Sequence, residues 1–128
     1  MDWDMWKRIA VRKLVHYDPE PLACYRLHEG ADSSRLIATG ENVSEERRSI
    51  EYSCAGLAAG QAIVVKRAAA RAAGIRATRR ARLLWKKGLR AAAWRQAVAA
   101  IRCSMAPAVL ARTAFFVLYA IIDRSNVA

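Results

Sequence analysis

The sequence predicts a mostly α-helical fold, and three observations carry that prediction. Alanine dominates the chain after Gly40, and alanine is the residue that loses least on entering a helix. Apolar residues return at near-helical spacing, first as Ile50, Cys54, Leu57 and Val64 and then as Leu84, Ala91, Trp94, Val98, Ile101 and Met105. Side chains suited to capping a helix start, Asn42, Ser44 and Thr78, stand ahead of these runs. At 128 residues the chain is one domain's worth, enough to bury a modest core.

Residues 2–17 read as a short amphipathic helix. Asp2 and Asp4 lie at the positive end of its dipole, and Arg12, Lys13 and His16 lie towards the negative end. Pro19 and Pro21 end it. Residues 22–28 and 34–40 flank the turn-forming cluster "EGADS", so a small β-hairpin or a pair of extended segments is expected there.

The next helix starts near Asn42 or Ser44, supported by Glu45 and Glu46. Its stretch "CAGLAAGQAIVV", residues 54–65, is apolar or small all the way round, the pattern of a segment buried on every side or lying in lipid. Gly56 and Gly60 in this stretch are the candidate helix-packing pair. Gly74 is expected to end or bend the helix, because one unbroken helix over 44–103 would be about 90 Å long, far beyond a compact domain of this size. A third helix then runs from about 78 to 103, and an apolar helix occupies 105–122. The expected organisation is a mixed segment over 1–41, a basic helical hairpin over 42–104, and an apolar helix and tail over 105–128, read as a membrane anchor with a buried core helix, Arg112 at its solvent edge, as the alternative.

Charge is divided along the chain. Residues 1–51 hold eight basic and ten acidic side chains, whereas residues 52–128 hold fourteen basic and one acidic, Asp123. The net charge of +11 therefore belongs to the second half. Such polarity indicates that one part meets an anionic surface. Candidate contacts to lipid or RNA phosphate are Lys66, Arg67, Arg71, Arg76, Arg79 and Arg80, continued by Arg82, Lys86, Lys87, Arg90 and Arg95. Trp85 and Trp94 are the candidate interfacial aromatics, since indole favours the headgroup level. Trp85, Leu89 and Trp94 also fall at relative positions 1, 5 and 10, an anchor spacing seen in calmodulin targets but too short to carry that assignment.

The segment 105–122 carries a single charge, Arg112, the candidate intramembrane charge. As a helix it measures about 27 Å against a hydrocarbon core of about 30 Å. Its eight strong hydrophobes favour insertion by about 2.4 to 4.8 kcal/mol, and a central arginine opposes it by about 2.5 to 3.5 kcal/mol. Insertion is therefore marginal for the isolated helix, and a larger assembly is the expected setting. Basic residues abut its N-terminal side, which predicts by the positive-inside rule that the bulk of the chain stays on the cytoplasmic or matrix side.

Sites of chemistry are scarce. Cys24, Cys54 and Cys103 are widely spaced and odd in number, which disfavours a disulfide framework and suits a reducing compartment. Cys24 and His28 lack the further ligands that a closed zinc centre needs, and no metal or cofactor is expected. Nucleophile-elbow, zinc-protease and phosphate-binding glycine motifs are absent from the sequence. The first residues contain no secretory h-region, and Asp2 and Asp4 disfavour a cleavable presequence. These readings lead to a non-enzymatic accessory subunit of a larger membrane complex, its basic helix facing anionic lipid or an acidic partner, with protein subunits and anionic lipids as partners and the mitochondrial inner membrane as the expected location. A bacterial membrane would also serve. The alternative is a ribosomal or other RNA-binding protein that uses residues 66–102.

Overall fold

The computed structural model describes residues 2–24 and 31–125. These form six helices and no strand, about 80% helical in all, so the fold is mostly α. The helices are α1 (Asp2–Arg12), α2 (Asp32–Thr39), α3 (Glu41–Ser53), α4 (Ala59–Lys86), α5 (Arg90–Cys103) and α6 (Pro107–Ser125), with a 3-10 turn, Cys54–Gly56, between α3 and α4.

The centre of the molecule is a bundle of α4, α5 and α6. Gly88 reverses the chain between α4 and α5. Its φ is +76°, and its N–H donates to Trp85 O at 2.9 Å while Leu89 N–H donates to Leu84 O at 3.0 Å. This is the Schellman pattern, which satisfies the last carbonyls of a helix and needs a residue without Cβ at the left-handed position. The two helices then run antiparallel, with Cys103 Sγ donating to Ala70 O at 3.6 Å. Ala73, Ala77 and Ala81 on α4 and Ala93, Ala97 and Ala100 on α5 are all buried. Their spacing of three or four residues puts a row of methyl groups on one face of each helix, so the two backbones can approach closely.

From Pro107, α6 returns parallel to α4. Near its start it passes Gly74, where a Cβ would meet Val109 Cγ2 at 2.9 Å and Ala100 O at 3.3 Å. Near its end, Trp85 Nε1 donates to Asp123 Oδ2 at 2.8 Å. Between these points Trp85, Trp94 and Phe116 meet edge-on, with ring centroids 5.4 to 6.3 Å apart. Aromatic edges and faces attract in this geometry beyond their area burial.

Helix α2 packs on α3 and α5, and α3 packs on both α4 and α5. Gln96 is fully buried, and its Nε2 donates to Ile37 O at 2.6 Å. Arg47 Nη1 donates to Arg102 O at 3.0 Å, satisfying a carbonyl at the end of α5. Arg76 pairs with Glu46, and Lys66 pairs with Glu51.

Several expectations are corrected. Residues 32–39 are helical and not a hairpin arm, because α2 packs against α3 and α5; the other arm falls largely on residues 25–30, outside the described residues. Helix α1 stops at Arg12, short of the prolines. Leu14, Val15 and Tyr17 beyond it are exposed, and a short helix without a packed face is marginal in water. Helix α4 continues through Gly74 and Thr78, and the break falls at Gly88 instead. Thr78 caps nothing, since its Oγ1 donates to Ile75 O within the helix. Ser44 likewise donates to Glu41 O inside α3, whose N-cap is Gly40. Gly56 and Gly60 face open space, so they are not the packing glycines. The stretch 54–65 is not buried all round: Ile63, Val64 and Val65 are exposed where α4 outruns the shorter α5.

Gly74 is the glycine on which packing depends. Replacing it with alanine would gain about 0.5–1 kcal/mol of helix propensity, against a typical overpacking cost of about 1–3 kcal/mol. Gly74→Ala is therefore expected to destabilise the chain in urea titrations. In a Val109→Ala background, where the closest methyls are gone and only the Ala100 carbonyl at 3.3 Å remains, the same change should cost clearly less. Equal effects in both backgrounds would contradict the observed Gly74–Val109 approach.

Candidate functional site

Helix α6 has two apolar faces. Val109, Thr113, Phe116 and Ala120 form the first, which is buried against α4 and α5. The second, offset by about 125° around the axis, carries Leu110, Ala114, Leu118 and Ile121 and is exposed, with Leu118 and Ile121 each at 59%. Phe115 and Ile122 widen it and are also exposed. This outer face holds no charge. Exposed apolar side chains scattered singly are ordinary on a soluble surface, but a contiguous helix face of them marks a site of interaction.

Cations border this face on the side of α4. Arg79, Arg82 and Arg112 line a groove between α4 and α6, with Thr78, Ala111 and Phe115 among the other lining residues. The Arg82 guanidinium lies over the rings of Phe115, at 5.3 Å, and Tyr119, at 6.0 Å. That cation–π contact favours this position of the group while leaving its positive charge uncompensated. Arg35, Arg48, Lys66 and Arg76 form ion pairs on α2, α3 or their seam with α4. Asp123, the acidic residue described on α6, instead accepts from Trp85.

The predicted basic residues therefore separate into two sets. Lys66 and Arg76 are committed to carboxylates of α3. Arg95 reaches Ala38 O at 3.4 Å, and Arg90 lies over the Trp85 ring at 5.3 Å. Arg80 is half-buried. Arg67, Arg71, Arg79, Lys86 and Lys87 are exposed with no carboxylate partner among the described residues. Geometry alone makes this separation, because all of these side chains look alike in the sequence.

Other candidate residues change role. Trp85 is 3% exposed and Trp94 is half-buried, so both are core residues and not interfacial aromatics. Buried in this way, and with Gly88 breaking the helix between them, they cannot form a calmodulin-type anchor face. Arg112 is exposed beside the α4–α6 groove rather than enclosed within an apolar helix. No helix among the described residues is long and apolar enough to cross a membrane, so the expected span over 105–122 is replaced by a helix with one face in the core and the other outward.

Reactive groups are few. Cys24 is exposed, Cys54 is buried and Cys103 is half-buried, all three as free thiols. Burial, and secondarily the charge of Glu46, push the Cys103 thiol up from its ordinary value, which suppresses the nucleophilic thiolate. Among the described residues no group of three or more His, Cys, Asp or Glu side chains could hold a metal ion; His28 lies outside them. A second groove, lined by Arg47, Arg95 and Arg102, also contains Glu41, and two of its guanidiniums already satisfy helix-end carbonyls.

The outer-face residues were missed as a site in the sequence. Their signal was present, as Leu110, Ala114, Leu118 and Ile121 at helical spacing, but it interleaves with the equally apolar buried stripe. Compared with known proteins, the chain matches no family model, no curated protein and no solved structure.

Proposed function

We propose that this protein is a non-catalytic accessory module of a membrane-associated protein assembly, docking on an anionic bilayer surface with α6 lying in the plane of the interface. The observation that carries this reading is the exposed, uncharged outer face of α6 beside the unpaired cations of α4. An amphipathic helix of this kind buries its apolar face at the boundary of headgroups and acyl chains. Each Lys or Arg brought near the anionic surface adds about 1 kcal/mol. A cardiolipin-bearing surface, such as the mitochondrial inner membrane or a bacterial membrane, supplies the matching charge. RNA would account for the cations but leaves the apolar face without a role.

Flotation with vesicles tests the proposal. The full chain should rise with vesicles of phosphatidylcholine and cardiolipin and remain behind with phosphatidylcholine alone. High salt should weaken the association without abolishing it, because burial of Leu118 and Ile121 does not depend on screening. Failure to float with anionic vesicles, together with tight salt-sensitive binding to an RNA oligomer, would replace this reading with the RNA-binding one.

A further inference from the structure

We infer that the groove between α4 and α6 is a binding site for a phosphate ester, occupied by the headgroup phosphate of an anionic phospholipid. The inference rests on the membrane reading only for the source of that phosphate. The groove has three features that general surface charge lacks.

First, arginines from two helices line it: Arg79 and Arg82 from α4 and Arg112 from α6. Arg79 and Arg82 lie three residues apart along α4, and tertiary packing brings in the third. Second, no carboxylate lines the groove. Asp123, hydrogen-bonded to Trp85, lies eleven residues beyond Arg112, about 16 Å along the helix axis. Third, Arg82 is already held against Phe115 and Tyr119. A cation–π contact leaves the guanidinium charge uncompensated, and a guanidinium can offer a planar donor edge to two oxygens of a phosphate.

The geometry also favours a lipid over a free anion. Small residues, Thr78 and Ala111, leave room at the groove, and its rim residue Phe115 belongs to the exposed outer face of α6. A phosphate seated among the three arginines would therefore have an apolar surface beside it, leading to Leu118. An acyl chain fits that surface, whereas inorganic phosphate or a ribose-phosphate chain leaves it exposed to water. Phosphatidate, a monoester with the most accessible phosphate oxygens, is the probe of choice.

The test compares two charge-matched double variants of the full chain, checked for unchanged circular dichroism. Arg79→Gln with Arg112→Gln removes two groove cations, and Arg67→Gln with Arg71→Gln removes two exposed cations from α4 outside the groove. Calorimetric titration with monomeric dihexanoyl phosphatidate should show affinity falling about 30-fold in the groove variant and less than about twofold in the control, since only the groove makes charged hydrogen bonds to a bound phosphate. Inorganic phosphate should bind at least tenfold more weakly than the lipid. Equal losses in the two variants, or no binding of dihexanoyl phosphatidate by the parent chain, would overturn the site even if vesicles still bind. Groove-selective binding of dihexanoyl phosphatidate without vesicle flotation would keep the site and remove the membrane reading. Groove-selective loss seen only with an RNA oligomer would overturn the lipid assignment.

Discussion

Phe116→Ala is expected to lower the unfolding free energy by about 3–5 kcal/mol, the range for truncating a buried aromatic ring. Phe116 is fully buried and is the hub through which α6 holds Trp85 and Trp94, with centroids at 5.9 and 5.4 Å. Its loss removes transfer energy, leaves a cavity, and deletes two edge-to-face contacts together. Urea titration followed by tryptophan fluorescence measures the effect, because two of the four indoles, Trp85 and Trp94, sit in that cluster. A paired control fixes the orientation of the helix: Leu118→Ala, on the outer face two residues away, should change stability by no more than about 0.5 kcal/mol. Comparable losses in the two variants would mean that α6 does not bury the face carrying Phe116.

Vesicle binding should respond in the opposite way. Leu118→Glu combined with Ile121→Glu is expected to weaken association with anionic vesicles by about 100-fold or more, since two side chains forfeit about 1.5–3 kcal/mol each of apolar transfer. The folded state should tolerate the change, because both residues are mostly exposed in it. Cosedimentation over a range of lipid concentrations reads the affinity, and the urea midpoint of the same samples reads the fold. Unchanged vesicle binding by a folded double variant would exclude the outer face of α6 from the docking surface.

These two variants separate the two jobs of one apolar helix. In a membrane span every face meets lipid, so the residue types at 109, 113, 116 and 120 would matter no differently from those at 110, 114, 118 and 121. Here the first stripe meets alanines and tryptophans of α4 and α5, and the second meets solvent. The same division explains Arg112. An arginine that is costly at the centre of a bilayer is inexpensive at the side of a surface helix, next to a groove that opens to water.

Helix content after Gly40 was determined by the sequence alone, whereas α2 is helical where the sequence suggested a hairpin arm. Alanine runs, apolar residues at three- and four-residue spacing and the scarcity of helix breakers after Gly40 require helices under any packing. The charge division was also set there, since eight basic and ten acidic residues before Tyr52 and fourteen basic and one acidic after it are facts of composition. Tertiary structure alone decided where the helices break, which faces they bury and which cations stay unpaired. Gly74 and Gly88 are both glycines in helical surroundings. One admits Val109 against the backbone and the other takes a positive φ to turn the chain, and the difference arises only once α5 and α6 are in place. Small alanines, not the larger Val98 and Met105, form the seam between α4 and α5, because close backbone approach outweighs side-chain size in choosing the buried face. Periodicity reports that a face is apolar. It cannot report which of two apolar faces finds a partner, because that depends on the shapes of neighbours distant in the chain.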